Sequence, residues 1–413
     1  MNKRGPLIAI GVAAAVITLV VVASTLSGGS GGSVADGPPI QQPASPFADS
    51  PVEPDDIQQL TPELASVSRD WITDFSKTTI DFDELVIGIR GRDRIRPIDD
   101  PQFETIAEIG DFVADQEPGL AFELDGDARF YPLSILTAHE IVNDVVGGRP
   151  VAVTYCPLCN SAIVFDSNVD GRVLRFGVSG LLRNSDLVMW DNATESLWQQ
   201  LTGEGLVGDF AGAQLTFLPS SIKSYGDFKD RNPEGIVLGR DQGFGFTYGF
   251  NSYLGYTGGA GPYEPFAPDE IDPRYPALER VINVTIGDVA KAYPFSIASE
   301  ERAINDTVNG TDVVIFAGGD TVDNLDTRVI REGKTIGTGI AFNRRVNGET
   351  LTFLPHDALT FEDVETGSIW NLNGIAVDGP MAGTSLEQVV HGNEFWFAWA
   401  AFNQGADVYT GQL

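Results

Sequence analysis

The sequence predicts an α+β, mainly β protein with two tandem related β-rich units behind an N-terminal hydrophobic helix. Three observations lead to this prediction. The 413-residue chain contains 46 glycines and 24 prolines, which is typical of a fold with many turns. A tyrosine-proline segment with its downstream pattern occurs twice. One uncharged apolar run stands near the start of the chain. The length is ample for more than one domain.

The balance of charge excludes one large class of function. The chain carries 58 Asp and Glu against 26 Lys and Arg, so its formal net charge is −32. Such a surface repels phosphate backbones. Hydrophobic residues make up 42% of the chain, which is enough to build a core. The sequence therefore predicts an acidic, folded protein that binds no nucleic acid.

The first element is the hydrophobic segment at residues 1–26. Lys3 and Arg4 precede an uncharged run at residues 7–26, whose helix would span about 30 Å, the thickness of a bilayer core. Basic residues before the run and acidic residues after it place the bulk of the chain outside the cytoplasm. We expect a single-pass anchor in the cell membrane. A signal peptide cleaved after a small residue such as Ala23 is the alternative, and the product would then be secreted.

The globular part reads as a duplicated unit. Tyr131-Pro132 recurs as Tyr293-Pro294, and each pair is followed at the same spacing by an Asn-Asp pair, the second of them being Asn305-Asp306. Similar Thr-x-Ser-x-Trp segments follow in both halves, so we expect two copies of one unit. The predicted organisation is an anchor or signal segment at 1–26, a flexible Gly/Ser/Pro linker at 27–60, a first unit at 61–240, a Gly- and aromatic-rich connector at 241–275 and a second unit at 276–413.

Within the first unit the pattern predicts one helix among short strands. Residues 120–124 and 128–131 flank an Asp-Gly-Asp turn and predict a hairpin. Pro132 suits the first turn of a helix that would run to about Val142. Further strands are predicted at residues 151–155, 162–165, 173–177, 186–190 and 196–199. No phosphate-binding glycine motif follows a strand, which argues against a nucleotide-binding α/β fold.

The main candidate functional residues are the chain's two cysteines, Cys156 and Cys159. They form a CxxC pair just after the predicted strand at 151–155. Two sulfurs in such a turn can share a metal ion, act as a thiol–disulfide redox pair, or form a structural disulfide. The second unit has Gly318 and Thr321 at the corresponding places. Because that copy lacks the thiols, the pattern favours a functional role for the pair over a purely architectural one.

Two histidines complete the expected site. His139 lies on the apolar face of the predicted helix, where a core histidine is the plain alternative, and His391 precedes the aromatic C-terminal segment. Each stands in one unit only. We predict Cys156, Cys159, His139 and His391 as ligands of zinc or of reduced copper, because thiolate and imidazole suit both metals.

Two acidic residues are candidates for the surroundings of that site. Glu140 and Asp144 could accept hydrogen bonds from His139 and orient it, as outer-shell carboxylates do at metal centres. The sequence identifies no catalytic residue and leaves open whether the protein is an enzyme. It also leaves open a non-enzymatic cell-envelope or glycan-binding module, and it names no small-molecule or protein partner.

Four motifs together resemble the domain-of-unknown-function 3179 family. They are YCPLCNS at residues 155–161, FGVSGLL at 176–182, Leu197-Trp198, and EFWFAW at 394–399. The resemblance covers residues 95–409, with Asn160 where the family usually has glycine. It implies an exported or membrane-anchored prokaryotic protein and importance for the CPLC segment, and it carries no established reaction.

Overall fold

The structure, a computed structural model, describes residues 59–264 and 266–411. The expected anchor at residues 1–26 and nearly all of the expected linker at 27–60 lie outside these ranges. Within them, no helix has the length and apolar character needed to cross a membrane. Membrane attachment therefore stays a prediction from the sequence.

The described chain is mainly β, as the sequence predicts, and its helices are short. The α-helices are Pro62–Val67, Ile106–Ile109, Leu133–His139, Tyr225–Arg231, Phe295–Glu301 and Trp396–Phe402. Single 3₁₀ turns occur at Phe82–Glu84, Gly110–Phe112, Tyr256–Gly258 and Ile330–Glu332.

The first half of the fold has three main sheets, in each of which the strands pair with their neighbours in the following order. The hairpin sheet is Ser221–Ser224, Pro118–Leu124, Asp127–Pro132, Ile236–Leu238 and Phe103–Thr105. The cysteine sheet is Phe217–Leu218, Ser161–Asp166, Arg149–Cys156 and Ile141–Val146. The aspartate sheet is Val86–Ile87, Phe176–Arg183, Asp186–Asp191, Leu197–Gln199 and Gly205–Val207. A small hairpin pairs Asn168–Val169 with Arg172–Val173.

The second half has three sheets of four strands and another small hairpin. The first sheet is His391–Phe395, Arg280–Ile286, Val289–Pro294 and Asp407–Val408. The next is Glu387–Gln388, Thr338–Asn343, Thr311–Gly318 and Ala303–Val308. The last is Phe353–Asp357, Thr360–Asp363, Ile369–Asn371 and Ala376–Asp378. The small hairpin pairs Arg345–Val346 with Glu349–Thr350.

Several side-chain contacts occur in the same form in both halves. The Tyr131 hydroxyl donates to Asp144 at 2.6 Å, and the Tyr293 hydroxyl donates to Asp306 at 2.9 Å. The indole nitrogens of two buried tryptophans likewise donate to aspartates. These bonds are Trp198 to Asp191 at 3.0 Å and Trp370 to Asp363 at 2.8 Å. Each half therefore contains one tyrosine–aspartate bond and one tryptophan–aspartate bond of this kind.

The predicted hairpin is confirmed as Pro118–Leu124 and Asp127–Pro132, but the predicted helix is too long. It ends at His139, because Glu140 adopts a φ of 59° and turns the chain into the strand Ile141–Val146. The Glu140 amide donates to the Leu136 carbonyl and so caps the helix. The strand predicted at 173–177 is also misplaced, since the long strand is Phe176–Arg183.

Packing places both cysteines inside a large core cluster that contains side chains from both halves of the fold. Cys156 is 2% exposed and Cys159 is 0% exposed, and they pack among side chains that include Leu158, Leu187 and Trp198. The aromatic C-terminal helix is also largely buried, with Trp396 at 0% exposed, so it contributes to the core. The thiols are therefore shielded from bulk water.

Candidate metal centre

A tight hairpin brings the two sulfurs together. Strands Arg149–Cys156 and Ser161–Asp166 pair in antiparallel register, with Cys156 opposite Ser161, so residues 157–160 form the connecting turn. The Cys159 amide donates to the Cys156 carbonyl at 3.2 Å. This turn places both cysteines at the end of the hairpin, and neither forms a disulfide.

Asn160 lets this turn close. Its φ is 53°, in the left-handed region that asparagine tolerates better than most other non-glycine residues. Its side-chain nitrogen donates to the Asn393 carbonyl at 2.5 Å. Asparagine therefore tolerates the backbone of this turn and adds a contact that glycine cannot make.

A second hairpin presents Asp186. Arg183 pairs with Asp186 across a two-residue turn, and both turn residues, Asn184 and Ser185, have positive φ, as a type I′ hairpin requires. The Ser185 carbonyl lies 3.6 Å from Cys156 Sγ and accepts its thiol hydrogen. The tip of the aspartate sheet thus meets the cysteine turn.

Only one oxygen of Asp186 is satisfied. Asp186 Oδ2 accepts hydrogen bonds from the Gln199 side chain at 2.7 Å and from the Leu201 amide at 2.8 Å. Oδ1 is buried without a hydrogen-bond partner in the described structure. The Cys156 and Cys159 thiols act as donors to this carboxylate and lower its pKa, so the buried dithiol and the carboxylate interact directly.

Cys156, Cys159 and Asp186 form one compact group. One ligand atom of each lies within 4.8 Å of the other two, and all three residues are buried. Among residues 59–264 and 266–411, no other set of three or more His, Cys, Asp and Glu side chains satisfies this distance. Around a shared tetrahedral ion these atoms would lie about 3.6–3.8 Å apart, so small side-chain adjustments suffice.

Burial disfavours the charged form of each of these groups. It raises the pKa of the Cys156 thiol, raises that of Cys159 well above its usual value, and raises the pKa of Asp186 to about 6. The negative charge of Asp186 adds to the rise at both thiols. Without a cation the group therefore holds its protons at neutral pH more strongly than exposed side chains do.

A cavity of about 250 Å³ is lined by chain neighbours of this group, while Cys156, Cys159 and Asp186 are not among its lining residues. Its walls include Leu158 from the cysteine turn, Leu187 next to Asp186, and Tyr253 from the connector. The Tyr256 hydroxyl donates to the Leu158 carbonyl at 2.9 Å, so the connector also holds the turn. Glu140 lines the cavity as well, and its burial raises the pKa of its carboxyl to about 8.

The structure does not bring His139 into the group. Its Nδ1 lies 2.6 Å from the Arg96 carbonyl, and its Nε2 lies 2.8 Å from the Tyr248 hydroxyl. Its ring packs against Phe244, with ring centroids 4.6 Å apart. Burial lowers the pKa of His139. Both ring nitrogens are therefore engaged, as in the plain alternative of a core histidine.

His391 is also outside the group, and the two predicted outer-shell carboxylates have other partners. His391 Nδ1 lies 2.9 Å from the Val389 carbonyl, and its Nε2 is buried without a partner. Asp144 binds Arg129 at 2.7 Å and accepts from Tyr131. Glu140 faces the cavity, so neither carboxylate is a hydrogen-bond partner of the His139 ring nitrogens.

Asp186 is the site residue that the sequence analysis did not single out. It lies 27 positions after Cys159, so no local spacing connects the two residues. The sequence does contain one indication of Asp186. Asn184 and Ser185 favour a turn, and a turn there puts Asp186 at the first position of the next strand. Which other strand end meets that position depends on sheet packing, which a single sequence does not specify.

The fold and this group define a class, a mainly β protein with a buried dithiol–carboxylate centre. The chain belongs to the family described as "Protein of unknown function (DUF3179)", whose model matches residues 92–406. The resemblance based on the CPLC and aromatic motifs is thus confirmed. No curated protein and no solved structure matches the chain.

Proposed function

We propose that this protein binds a zinc ion through Cys156 Sγ, Cys159 Sγ and Asp186 Oδ1. The observation that supports the proposal is the buried Oδ1 without a partner beside two free thiols. Asp186 Oδ2 is already held by two donors, which fixes the direction of the carboxylate. Metal ligands are commonly oriented by hydrogen bonds of this kind.

The electrostatics of the group suit a cation. Once deprotonated, the three ligands place negative charge in a buried site, which is costly unless an opposite charge accompanies it. A divalent ion supplies that charge and lowers the pKa of a coordinating thiol. The raised pKa values of the free thiols therefore describe the metal-free protein and predict proton release when metal binds.

The donor set favours zinc over reduced copper. Zinc accepts thiolate sulfur and carboxylate oxygen in one tetrahedral site. Reduced copper prefers soft sulfur ligands, and a carboxylate is a hard one. Two sulfurs and one oxygen therefore fit zinc better, with copper as the alternative metal.

Three protein ligands leave a fourth tetrahedral position. In zinc proteins such an open position holds water or a substrate oxygen, which the metal polarises. Leu158 and Leu187, which precede Cys159 and follow Asp186 in the chain, line a nearby cavity, and Glu140 supplies a carboxyl group in its wall. A reactive thiol pair is less well supported, because reactive cysteines have lowered pKa values and partly exposed sulfurs.

We infer further that the units at 61–240 and 276–413 arose by duplication of one ancestral unit, joined by the connector at 241–275. The same strand order in three successive sheets and the paired contacts of Tyr131 and Tyr293 support this inference. The membrane anchor and extracytoplasmic location remain proposals from the sequence of residues 1–26. In that case, either the first unit gained its zinc site after the duplication, or it retained a site that the second unit lost.

Metal analysis of the purified full-length chain tests the zinc proposal. We expect one zinc per chain by inductively coupled plasma mass spectrometry, and loss of most of it in Cys159→Ser and Asp186→Asn. Ser161→Ala is the matched control, because it lies in the same hairpin and removes a buried hydroxyl without a partner. Metal-free wild type with a stable disulfide would instead support thiol–disulfide chemistry. Retention of zinc in both ligand variants would contradict the proposed ligands.

A further inference from the structure

The cavity of about 250 Å³ that Glu140 lines has mostly apolar walls. Aliphatic side chains such as Leu182 form them together with the aromatic rings of Tyr253, Tyr263 and Phe266 from the connector. Glu140 is the one acidic residue among the described lining residues, and these include no lysine or arginine. The volume is about that of eight water molecules in the liquid, which suits a small organic molecule.

The carboxyl group of Glu140 lacks a partner among the described residues. Glu140 is 7% exposed, and its carboxyl oxygens accept no hydrogen bond and form no ion pair there, although they are not sealed from water. Burial and then the charge of Asp186 raise its pKa to about 8, and no donor or cation acts against them. A buried carboxyl without a partner is costly to the fold, so this one indicates a ligand in the cavity.

The backbone does not require a carboxyl group at this position. Glu140 follows the helix Leu133–His139 with a φ of 59°, and Arg302 follows the helix Phe295–Glu301 with a φ of 63°. The Arg302 side chain donates to the exposed Asp357 carbonyl. The same turn therefore forms with a basic side chain, which leaves the Glu140 carboxyl free for another role.

Tyr253 supplies a second open polar group. Burial raises the pKa of Tyr253 well above its usual value, and the charge of Glu140 is the next cause, so the two groups lie near each other. The Tyr253 hydroxyl has no hydrogen-bond partner in residues 59–264 and 266–411, and it is not sealed from water. A carboxylate oxygen and a phenol oxygen can therefore accept hydrogen bonds from one ligand.

The charges around the cavity favour a cation. Negative charge on Asp186 raises the pKa of Glu140, and negative charge on Glu140 raises the pKa of Cys156. These groups repel one another, and no cationic side chain among the described lining residues offsets them. An anion would add to the repulsion, and a neutral ligand would leave it unchanged. An ammonium ion relieves it, because it carries the opposite charge and has three donors and no acceptor.

We propose that this cavity binds a small primary amine in its ammonium form, with an aromatic or aliphatic body. Glu140 forms the ion pair, the Tyr253 hydroxyl accepts one ammonium hydrogen, and Tyr263 and Phe266 contact the body. Rings of this kind also attract cations. The proposal does not depend on zinc, because two thiolates and one carboxylate outweigh the charge of the metal and leave the surroundings of Glu140 negative.

Three probes that share a phenyl ring separate the classes of ligand. Benzylamine is a cation, benzyl alcohol is neutral and benzoate is an anion, while n-hexylamine replaces the ring by a chain. Titration calorimetry on the full chain gives the dissociation constants, and saturation-transfer-difference NMR detects weak binding. We expect benzylamine to bind at least about 10-fold more tightly than benzyl alcohol, the effect of a hydrogen bond between charged groups, and benzoate not to bind.

Three variants locate the binding in this cavity. Glu140→Gln keeps the shape of the side chain and removes its charge, so the affinity for benzylamine should fall about 10-fold or more, while benzyl alcohol binds as before. Leu182→Trp fills the cavity and should abolish the binding of both. Glu362→Gln makes the same change as the first variant at a half-exposed site outside the cavity and should bind like wild type.

Amines also coordinate zinc, so each titration is repeated after treatment with EDTA, and circular dichroism checks that the protein stays folded. Benzylamine binding that persists without metal and falls in Glu140→Gln supports the proposal. Binding that disappears with the metal would assign the amine to the zinc centre and overturn the proposal. Absence of binding by both amines, equal affinity for benzylamine and benzyl alcohol, or wild-type affinity in folded Glu140→Gln would also overturn it.

Discussion

The carbonyl oxygen of Cys159 accepts a hydrogen bond from the Phe395 amide at 2.9 Å. This contact joins the cysteine turn of the first half to the strand His391–Phe395 of the second. The residue before Phe395, Glu394, lines a cavity of about 400 Å³. One strand of the second half therefore supports the cysteine turn and forms a wall of this cavity.

Asn160 should tolerate glycine better than alanine. Asn160→Ala loses the side-chain bond to Asn393 and forces a Cβ residue without asparagine's local stabilisation into left-handed backbone, so we expect a loss of about 2 kcal/mol in the free energy of unfolding. Asn160→Gly loses the bond without the strain and should cost about 1 kcal/mol. Urea denaturation followed by circular dichroism measures both. Equal losses of unfolding free energy in the two variants would show that the positive φ at this position does not penalise alanine.

Glu140→Gln should stabilise the metal-free protein by an amount that grows as pH rises from about 4.5 to about 8. The pKa of Glu140 is raised to about 8 from 4.5, so the folded state binds a proton more tightly than the unfolded state. The stability contributed by this group is complete below pH 4.5 and falls as pH rises to about 8, because the unfolded carboxyl ionises in that range while the folded one keeps its proton. The loss amounts to a few kcal/mol, to order of magnitude.

The variant has no such proton to lose. In EDTA-treated samples we expect its melting temperature to exceed that of wild type by several degrees at pH 8 and to match it closely at pH 5. Glu362→Gln, at a half-exposed site, is the control and should shift neither value. An increase in melting temperature of the same size at pH 5 and pH 8 would show that the substitution acts through packing and not through proton binding.

Zinc affinity should rise steeply between pH 6 and pH 8. Both thiols must lose protons to bind, and burial raises the pKa of each, while Asp186 has a pKa of about 6. We expect release of about two protons per zinc near neutral pH. Calorimetry in buffers of different ionisation enthalpy gives that number. An affinity independent of pH would mean that the cysteines are not ligands.

The two buried tryptophan–aspartate pairs should contribute equally to stability. Trp198→Phe and Trp370→Phe each remove one indole bond to a buried aspartate, Asp191 or Asp363. A hydrogen bond to a charged group contributes about 1.5–3 kcal/mol, so we expect each variant to lose about 2 kcal/mol. Denaturation of the two variants in parallel compares them. A loss in one variant only would show that the two halves do not use these contacts alike.

The sequence predicts local features of the first half well. Turn residues and apolar alternation located the hairpin of Pro118–Leu124 and Asp127–Pro132, and the CxxC pair marked the site. The helix end was missed because Glu140 is an uncommon residue for positive φ, and Val142 continues an apolar spacing that suits helix and strand alike. Local pattern does not distinguish those two outcomes.

The site itself could be predicted only in part. Spacing joined Cys156 to Cys159, whereas Asp186 approaches them through the packing of one sheet against another. His139 has the position expected of an inward-facing helix residue, but the connector supplies Tyr248 as its partner. Contacts that depend on long-range packing have no signature in the spacing of one sequence.

The most direct test of the zinc centre is zinc K-edge X-ray absorption on the full-length protein as purified. We predict two sulfur neighbours at about 2.3 Å and oxygen neighbours at about 2.0 Å, with the oxygen from Asp186 among them. Cys156→Ser should remove one sulfur from that shell or remove the metal. A shell without sulfur, or protein that contains no metal and takes up none when zinc is supplied, would contradict the account.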